Sequence, residues 1–275
     1  MSATTVPEEP ALSRHSRLDA ILELLSQRGK LDVEELVKAL DVSAATVRRD
    51  LDRLADQQLL TRTHGGAVPT AASYDLPLRY KATRFADAKL RIAEAAAAMV
   101  RTGQVVGFNG GTTTTEVARA LARRVELADD TAHSALIVVT NALNIATELA
   151  VRRHIKIVAL GGVARPQSYE LIGPLADASL GQINVDLLFL GVDGFDIDHG
   201  ATASHEGEAS INRKLVETAG RVVVVADHSK LGKSAFARIC DAEQVDALLT
   251  DAAPDAETAA ALAELDVEVV VAGQG

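Results

Sequence analysis

The sequence predicts a two-domain α/β protein, with a small winged helix-turn-helix over residues 14–68 and a larger, doubly wound, mainly parallel α/β domain over 86–275. Three observations carry this. The first seventy residues hold three short amphipathic stripes, and from about residue 86 onward β-branched runs alternate with helical segments. The chain's 275 residues also exceed one average domain and suit a small module plus a large one.

Leu18, Ile21, Leu22 and Leu25 fall at i, i+3, i+4 and i+7, one apolar stripe of a helix that Gly29 ends. Val33, Leu36, Val37 and Leu40 repeat the spacing behind Asp32, a suitable N-cap. A very short connection leads into a third helix over 44–57, with Ser43 as its cap and Val47, Leu51 and Leu54 as its buried stripe. Three short helices with a tight second turn describe a helix-turn-helix.

A rotation of about 100° per residue puts Ala45 and Arg49 opposite that stripe, flanked by Thr46, Arg48, Asp52 and Arg53. Arginine suits guanine readout, small side chains permit close approach to a major groove, and Ser43 at the helix start can hold a phosphate. Leu59 to Thr63 alternates like a strand and His64-Gly65-Gly66 makes a turn before Ala67-Val68, a short hairpin wing. Periodicity alone leaves open a plain three-helix unit whose arginines are only solvated.

Residues 69–85, with Pro69, Pro77 and no sustained period, read as a linker. Strands are expected at 105–108, 135–140, 155–160, 186–192, 221–226, 247–250 and 267–272. Ligands in such sheets bind at the carboxyl ends of the strands. There the sequence places Asn109, Gly110, Gly111, Thr112, Thr113 and Thr114, a strand-to-helix turn with the glycines, hydroxyls and helix start of an anion cradle. It has neither a Gly-Lys-Ser/Thr ending nor a Gly-x-Gly-x-x-Gly pattern, so ATP and NAD are not supported and no cofactor is expected. Later strand ends add Asn141, Asp193 and Lys230, and Glu208 opens a helix. Asp193 and Glu208 suit sugar hydroxyls and Lys230 an anion. Taken singly, each is equally well a turn former, a first-turn charge or a solvated cation.

A net charge of −10 is unusual for a nucleic-acid binder and requires any DNA-reading face to be local. With 3% aromatic residues and no Trp there is no base-stacking platform, so the expected nucleic acid is duplex. Cys240 is the single cysteine and is expected to be packed; the seven histidines show no zinc spacing, and no metal is expected. Residues 1–12 read as a loose tail without a leader's apolar core, and no run is long enough to span a membrane, so a cytoplasmic location is expected.

The run Val42-Ser43-Ala44-Ala45-Thr46-Val47-Arg48-Arg49-Asp50-Leu51-Asp52-Arg53-Leu54, followed by Thr61-Arg62-Thr63-His64-Gly65-Gly66-Ala67, closely resembles the DNA-binding signature of the DeoR/GlpR family of bacterial repressors. The resemblance implies that Ser43, Thr46, Arg48 and Arg49 touch DNA, with Arg62 and His64 on the wing. Residues 85–252 resemble the same family's sensor domain, similar in fold to ribose-5-phosphate isomerase. This implies that residues 110–114 hold a ligand phosphate while Asp193, Glu208 and Lys230 line the sugar end. Asn109 stands where many members have Asp, and Gly110 where Ser is usual. The function so implied is a non-enzymatic repressor of carbohydrate genes, acting on double-stranded operator DNA under control of a phosphorylated sugar. Readers of this kind dock as symmetric dimers on paired half-sites, so a homo-oligomer, dimer or tetramer, is expected. The alternative is a sugar-phosphate isomerase carrying a DNA-binding module, with Asp193 or Glu208 as base and Lys230 stabilising an enediolate.

Overall fold

The computed structural model describes residues 13–57, 59–68, 78–124, 127 and 136–273. The tail at 1–12, linker residues 69–77 and Ala135 of the second expected strand lie outside the described residues. The chain divides into two units, Met1–Leu76 and Pro77–Gly275.

The first unit runs α1 (Arg14–Arg28), β1 (Leu31–Asp32), α2 (Val33–Leu40), α3 (Ala44–Asp56), β2 (Thr61–Arg62) and β3 (Gly66–Val68). The three apolar stripes are buried: Leu18, Ile21, Leu22 and Leu25 on α1, Leu36 and Leu40 on α2, Val47, Leu51 and Leu54 on α3. Gly29, in the left-handed region, closes α1 by donating its N–H to Leu25 O at 2.9 Å. Asp41, at φ 49°, turns the chain from α2 to α3. Ser43 Oγ then caps α3 by accepting from Thr46 N at 3.2 Å. The wing has a strand beyond the expected hairpin: β1 pairs antiparallel with β3, giving the order β1-β3-β2. Gly66 permits it, because a Cβ there would stand 1.8 Å from Leu31 O.

The second unit runs α4 (Leu78–Lys81), α5 (Ala86–Ala98), β4 (Val105–Phe108), α6 (Thr112–Ala122), β5 (Leu136–Thr140), α7 (Leu143–Leu149), β6 (Ile155–Ala159), β7 (Val163–Ala164), β8 (Leu171–Ile172), α8 (Pro174–Leu180) and β9 (Leu187–Leu190). It continues with β10 (Gly194–Asp196), β11 (Gly200–Ala203), α9 (Glu206–Glu217), β12 (Val222–Val225), a 3-10 turn at His228–Lys230, β13 (Ala237–Cys240), β14 (Ala247–Thr250), α10 (Ala256–Glu264) and β15 (Glu268–Val271). The seven expected strands form one parallel sheet in the order β15-β14-β12-β9-β4-β5-β6. Two small antiparallel sheets accompany it, β7-β8 and β10-β11-β13. Residues 78–81, read in the sequence as linker, form a helical turn grouped with this second unit.

Successive strand residues face opposite sides. On β9 and β12, Leu187, Phe189, Val223 and Val225 join a core with α5, α6 and α7. Leu188, Leu190, Val222 and Val224 join another with α8, α9 and α10. Both faces are therefore covered, which is why these strands are continuous apolar runs rather than alternating ones. Phe108 and Phe189 stack at 5.6 Å between ring centres, joining β4 to β9. The strand order reverses between these two, so the carboxyl ends of β4 and β9 open onto the switch-point crevice where such sheets bind ligands.

Candidate functional site

On the first unit, α3 presents Ser43, Ala45, Arg48, Arg49 and Arg53 exposed and Thr46 partly exposed; on the wing His64 is exposed and Arg62 partly so. The acidic residues of α3 are largely neutralised. Asp50 is buried and takes a forked pair from α1, Arg17 Nε at 2.5 Å and Nη2 at 3.2 Å. Asp52 accepts from Arg62 Nε at 2.8 Å, while Arg62 Nη1 donates to Gly66 O at 2.8 Å. Arg62 thus fastens the wing to α3. Arg49 lies along its own helix, donating to Ala45 O at 3.3 Å and Thr46 Oγ1 at 3.4 Å. Residues 14–68 hold nine Lys and Arg against nine Asp and Glu, so this segment is neutral while the rest of the chain carries the net negative charge. With Asp50 and Asp52 paired, the outer face of α3 is locally positive.

On the second unit, the β4–α6 turn sits at the switch point. Asn109 is buried and bridges the reversal: its Nδ2 donates to Gly191 O at 2.9 Å, and Gly191 N donates to its Oδ1 at 2.8 Å. Its amide holds β4 to β9. Gly111 O accepts from Thr114 Oγ1 at 3.1 Å, Thr115 Oγ1 at 2.6 Å and Thr115 N at 3.1 Å. The first turn of α6, which carries Thr112, Thr113 and Thr114, has N–H groups without helical partners. Such a helix start favours negative charge.

The β7-β8 hairpin folds over the end of β5: Leu171 N donates to Asn141 O at 2.7 Å and Leu143 N to Tyr169 O at 3.0 Å. This delivers Glu170, almost fully buried, onto Gly110. Asn141 Nδ2 donates to Glu170 Oε2 at 3.1 Å. Burial, then the nearby Glu208, push the Glu170 carboxyl up to about 8. Glu208, on the first turn of α9, accepts from Arg165 Nη1 at 2.9 Å. The Oδ1 atoms of Asn141 and Asn212 are buried without a hydrogen-bond partner among the described residues. Such orphaned acceptors suit hydroxyl donors.

Asp193 forms a second cluster. Its Oδ2 accepts from Ser204 N at 2.9 Å; its Oδ1 accepts from Lys81 Nζ at 3.3 Å and lies 3.8 Å from Lys230 Nζ. Burial opposes its charge, but Lys81 and Lys230 outweigh that and hold the carboxyl well below the usual range. Burial also lowers Lys230, with Asp193 acting against it. Lys89 is buried, donates to Lys81 O at 2.7 Å and to Arg84 O at 2.5 Å, and is lowered by burial to about 8.

The predicted residues therefore fall into a strand-to-helix turn (Gly110, Gly111, Thr112, Thr113, Thr114), a pair beside Glu170 (Asn141, Glu208) and a charged pair (Asp193, Lys230), carried by the turns and helix starts that follow β4, β5, β9, β11 and β12. Glu170, Arg165, Asn212, Lys81 and Lys89 belong beside them and are not found by sequence reasoning. Three of these depend on short elements, α4 and the β7-β8 hairpin, that leave no periodic signal. The repeat of Glu208 and Asn212 one turn apart on α9 is the one usable signal.

Residues 84–252 match the family described as DeoR C terminal sensor domain, and residues 17–71 match the DeoR-like helix-turn-helix domain. The chain belongs to the DeoR family of transcriptional regulators. This DeoR-family chain is 38% identical to the HTH-type transcriptional regulator GlpR of Haloferax volcanii, over 91% of its own length and 94% of the relative's. It is 34% identical to the glycerol-3-phosphate regulon repressor of Escherichia coli (strain K12), over 88% and 93% respectively. Among solved structures, a ribose 5-phosphate isomerase from Methanocaldococcus jannaschii covers 53% of this chain and 54% of its own at 22% identity, with a TM-score of 0.39.

Proposed function

We propose that this DeoR-family regulator is a repressor of carbohydrate genes, that residues 14–68 bind double-stranded operator DNA, and that a phosphorylated sugar bound by residues 86–275 releases it. The DNA contacts in this reading are Ser43, Ala45, Thr46, Arg48, Arg49, Arg53, Arg62 and His64. The effector contacts are Asn109 through Thr114, Asn141, Asp193, Glu208 and Lys230, with Glu170 and Asn212 added by their position. The observation that carries it is the switch-point site itself, where a helix start for an anion lies beside buried, unpartnered acceptors for hydroxyls. The relative named as a glycerol-3-phosphate regulon repressor supports the phosphorylated class. Symmetric operator reading supports a homo-oligomer.

The ion pairs weigh against the isomerase alternative. A base works best near the operating pH, whereas Lys81 and Lys230 hold the Asp193 carboxyl well below it. The test is a thermal-shift screen of the full chain against matched phosphorylated and unphosphorylated sugars. A ligand at 100 times its Kd stabilises by about 2.7 kcal/mol. A shift confined to phosphorylated sugars and abolished by Thr113→Ala or Lys230→Ala supports the reading. No shift across the panel sinks the effector assignment, and isomerase turnover at ordinary enzyme rates restores the alternative.

A further inference from the structure

The turn that begins α6 is organised around one carbonyl. Gly111, at φ 146°, is the N-cap of α6 and has no side chain with which to cap it. Its oxygen accepts from Thr114 Oγ1 at 3.1 Å, Thr115 Oγ1 at 2.6 Å and Thr115 N at 3.1 Å. In a trans peptide the C=O and the following N–H point in opposite directions. Three donors that turn the Gly111 oxygen into the helix therefore turn the N–H of Thr112 out of its amino end, where an anion would sit.

A second helix stands behind this carbonyl. Asn144, on the first turn of α7, donates from Nδ2 to Thr115 Oγ1 at 2.9 Å. The proton between Thr115 Oγ1 and Gly111 O belongs to the hydroxyl, because a carbonyl cannot donate. Asn144 therefore meets the lone pairs of that hydroxyl, which fixes its amide with Nδ2 toward Thr115 and leaves its Oδ1 buried without a partner among the described residues. A hydroxyl that accepts one bond donates the next more strongly. The hydroxyl protons of Thr114 and Thr115 are thus both spent on Gly111. The same short stretch also serves the other end of the site, since Asn141, three residues before Asn144, donates to Glu170.

We propose that Thr115 and Asn144 are positioning residues for the effector's phosphate, acting through the Gly111 carbonyl to hold the Gly111–Thr112 peptide with its N–H aimed at the ligand. The inference rests on the effector reading above. It separates the four threonines of this turn by role: Thr112 and Thr113 have hydroxyls to give a ligand, Thr114 offers its N–H, and Thr115 works only through Gly111.

The test measures the affinity of the full chain for inorganic phosphate and the sugar-phosphate panel, by thermal shift and equilibrium titration, in wild type, Thr115→Val, Thr115→Ser and Asn144→Leu. Thr115→Val keeps the shape, loses the hydroxyl and binds phosphorylated probes on the order of tenfold more weakly. Thr115→Ser keeps the hydroxyl and stays near wild type, a rescue that a packing role would not give. Asn144→Leu removes the donor together with the orphaned Oδ1, so affinity falls on the order of threefold while the Tm without ligand does not fall. Wild-type affinity in Thr115→Val, or a loss in Thr115→Ser as large as in Thr115→Val, overturns the positioning role and leaves the effector reading standing. Should Thr115→Val fail to fold, unchanged affinity in Asn144→Leu overturns it alone. No thermal shift in wild type from any probe overturns both.

Discussion

Glu170 lies so close against the backbone of Gly110 that a Cβ at position 110 would stand 2.4 Å from its Cγ and 2.7 Å from its Oε1. Gly110 and the buried glutamate therefore form one unit. Gly110→Ser should displace Glu170 and cost about 1–3 kcal/mol by overpacking. Adding Glu170→Ala should return part of that cost, a coupling measurable by a double-mutant cycle in denaturant. Strict additivity of the two changes would show that the contact has no energetic weight.

Glu170 also sets a pH dependence. Its folded-state pKa of about 8 lies above the ordinary 4.5, raised by burial first and Glu208 second. A raised carboxyl favours the folded state most below about pH 4.5, and that contribution is lost progressively as pH rises through 8. Glu170→Gln stays neutral throughout and lacks this loss. The difference in Tm between Glu170→Gln and wild type should therefore grow in favour of the variant from acidic to alkaline pH. Parallel Tm curves would mean that Glu170 is ionised in the native protein.

How much of this is legible in the sequence depends on how each element is stabilised. The central parallel strands are read correctly because strands buried on both faces are unbroken apolar runs, as in Val222 to Val225. The three helices of the first unit are legible because each has a single buried stripe and a capping residue. β1, β7 and β8 have two residues each, too few to show a period of two, and exist through long-range pairing. Glu170 is hidden for the same reason: it becomes part of the site only when the hairpin, with Tyr169 at φ 62°, folds onto Asn141. Lys81 reads as an ordinary linker charge until the fold places Asp193 opposite it.

Arg17 and Asp50 tie α1 to α3 by a forked, largely buried pair. Removing one partner leaves the other charge uncompensated, so Arg17→Met should destabilise the first unit by about 3 kcal/mol. The replacement of both, Arg17→Met with Asp50→Leu, should recover much of the loss. Near-ultraviolet and exchange probes placed in the second unit should report unchanged stability. An equal loss in both units would mean that the pair supports more than its own three-helix core.

The arginines of α3 and the wing should divide by what they touch. Arg62 is held by Asp52 and Gly66, so Arg62→Ala should weaken operator binding through a loosened wing, and Asp52→Ala should mimic it in part. Arg49 has the central outward position, and Arg49→Ala should cost about 1–3 kcal/mol of specific binding and relax preference at one base pair. Arg53 is exposed a turn further along, and its expected partner is a phosphate. Arg53→Ala should weaken binding to all sequences alike and lower the slope of log K against log salt by about 0.9. Titrations of the full chain on operator and random duplexes at several salt concentrations separate the three. If Arg49→Ala lowers both affinities equally, α3 does not read bases through that residue.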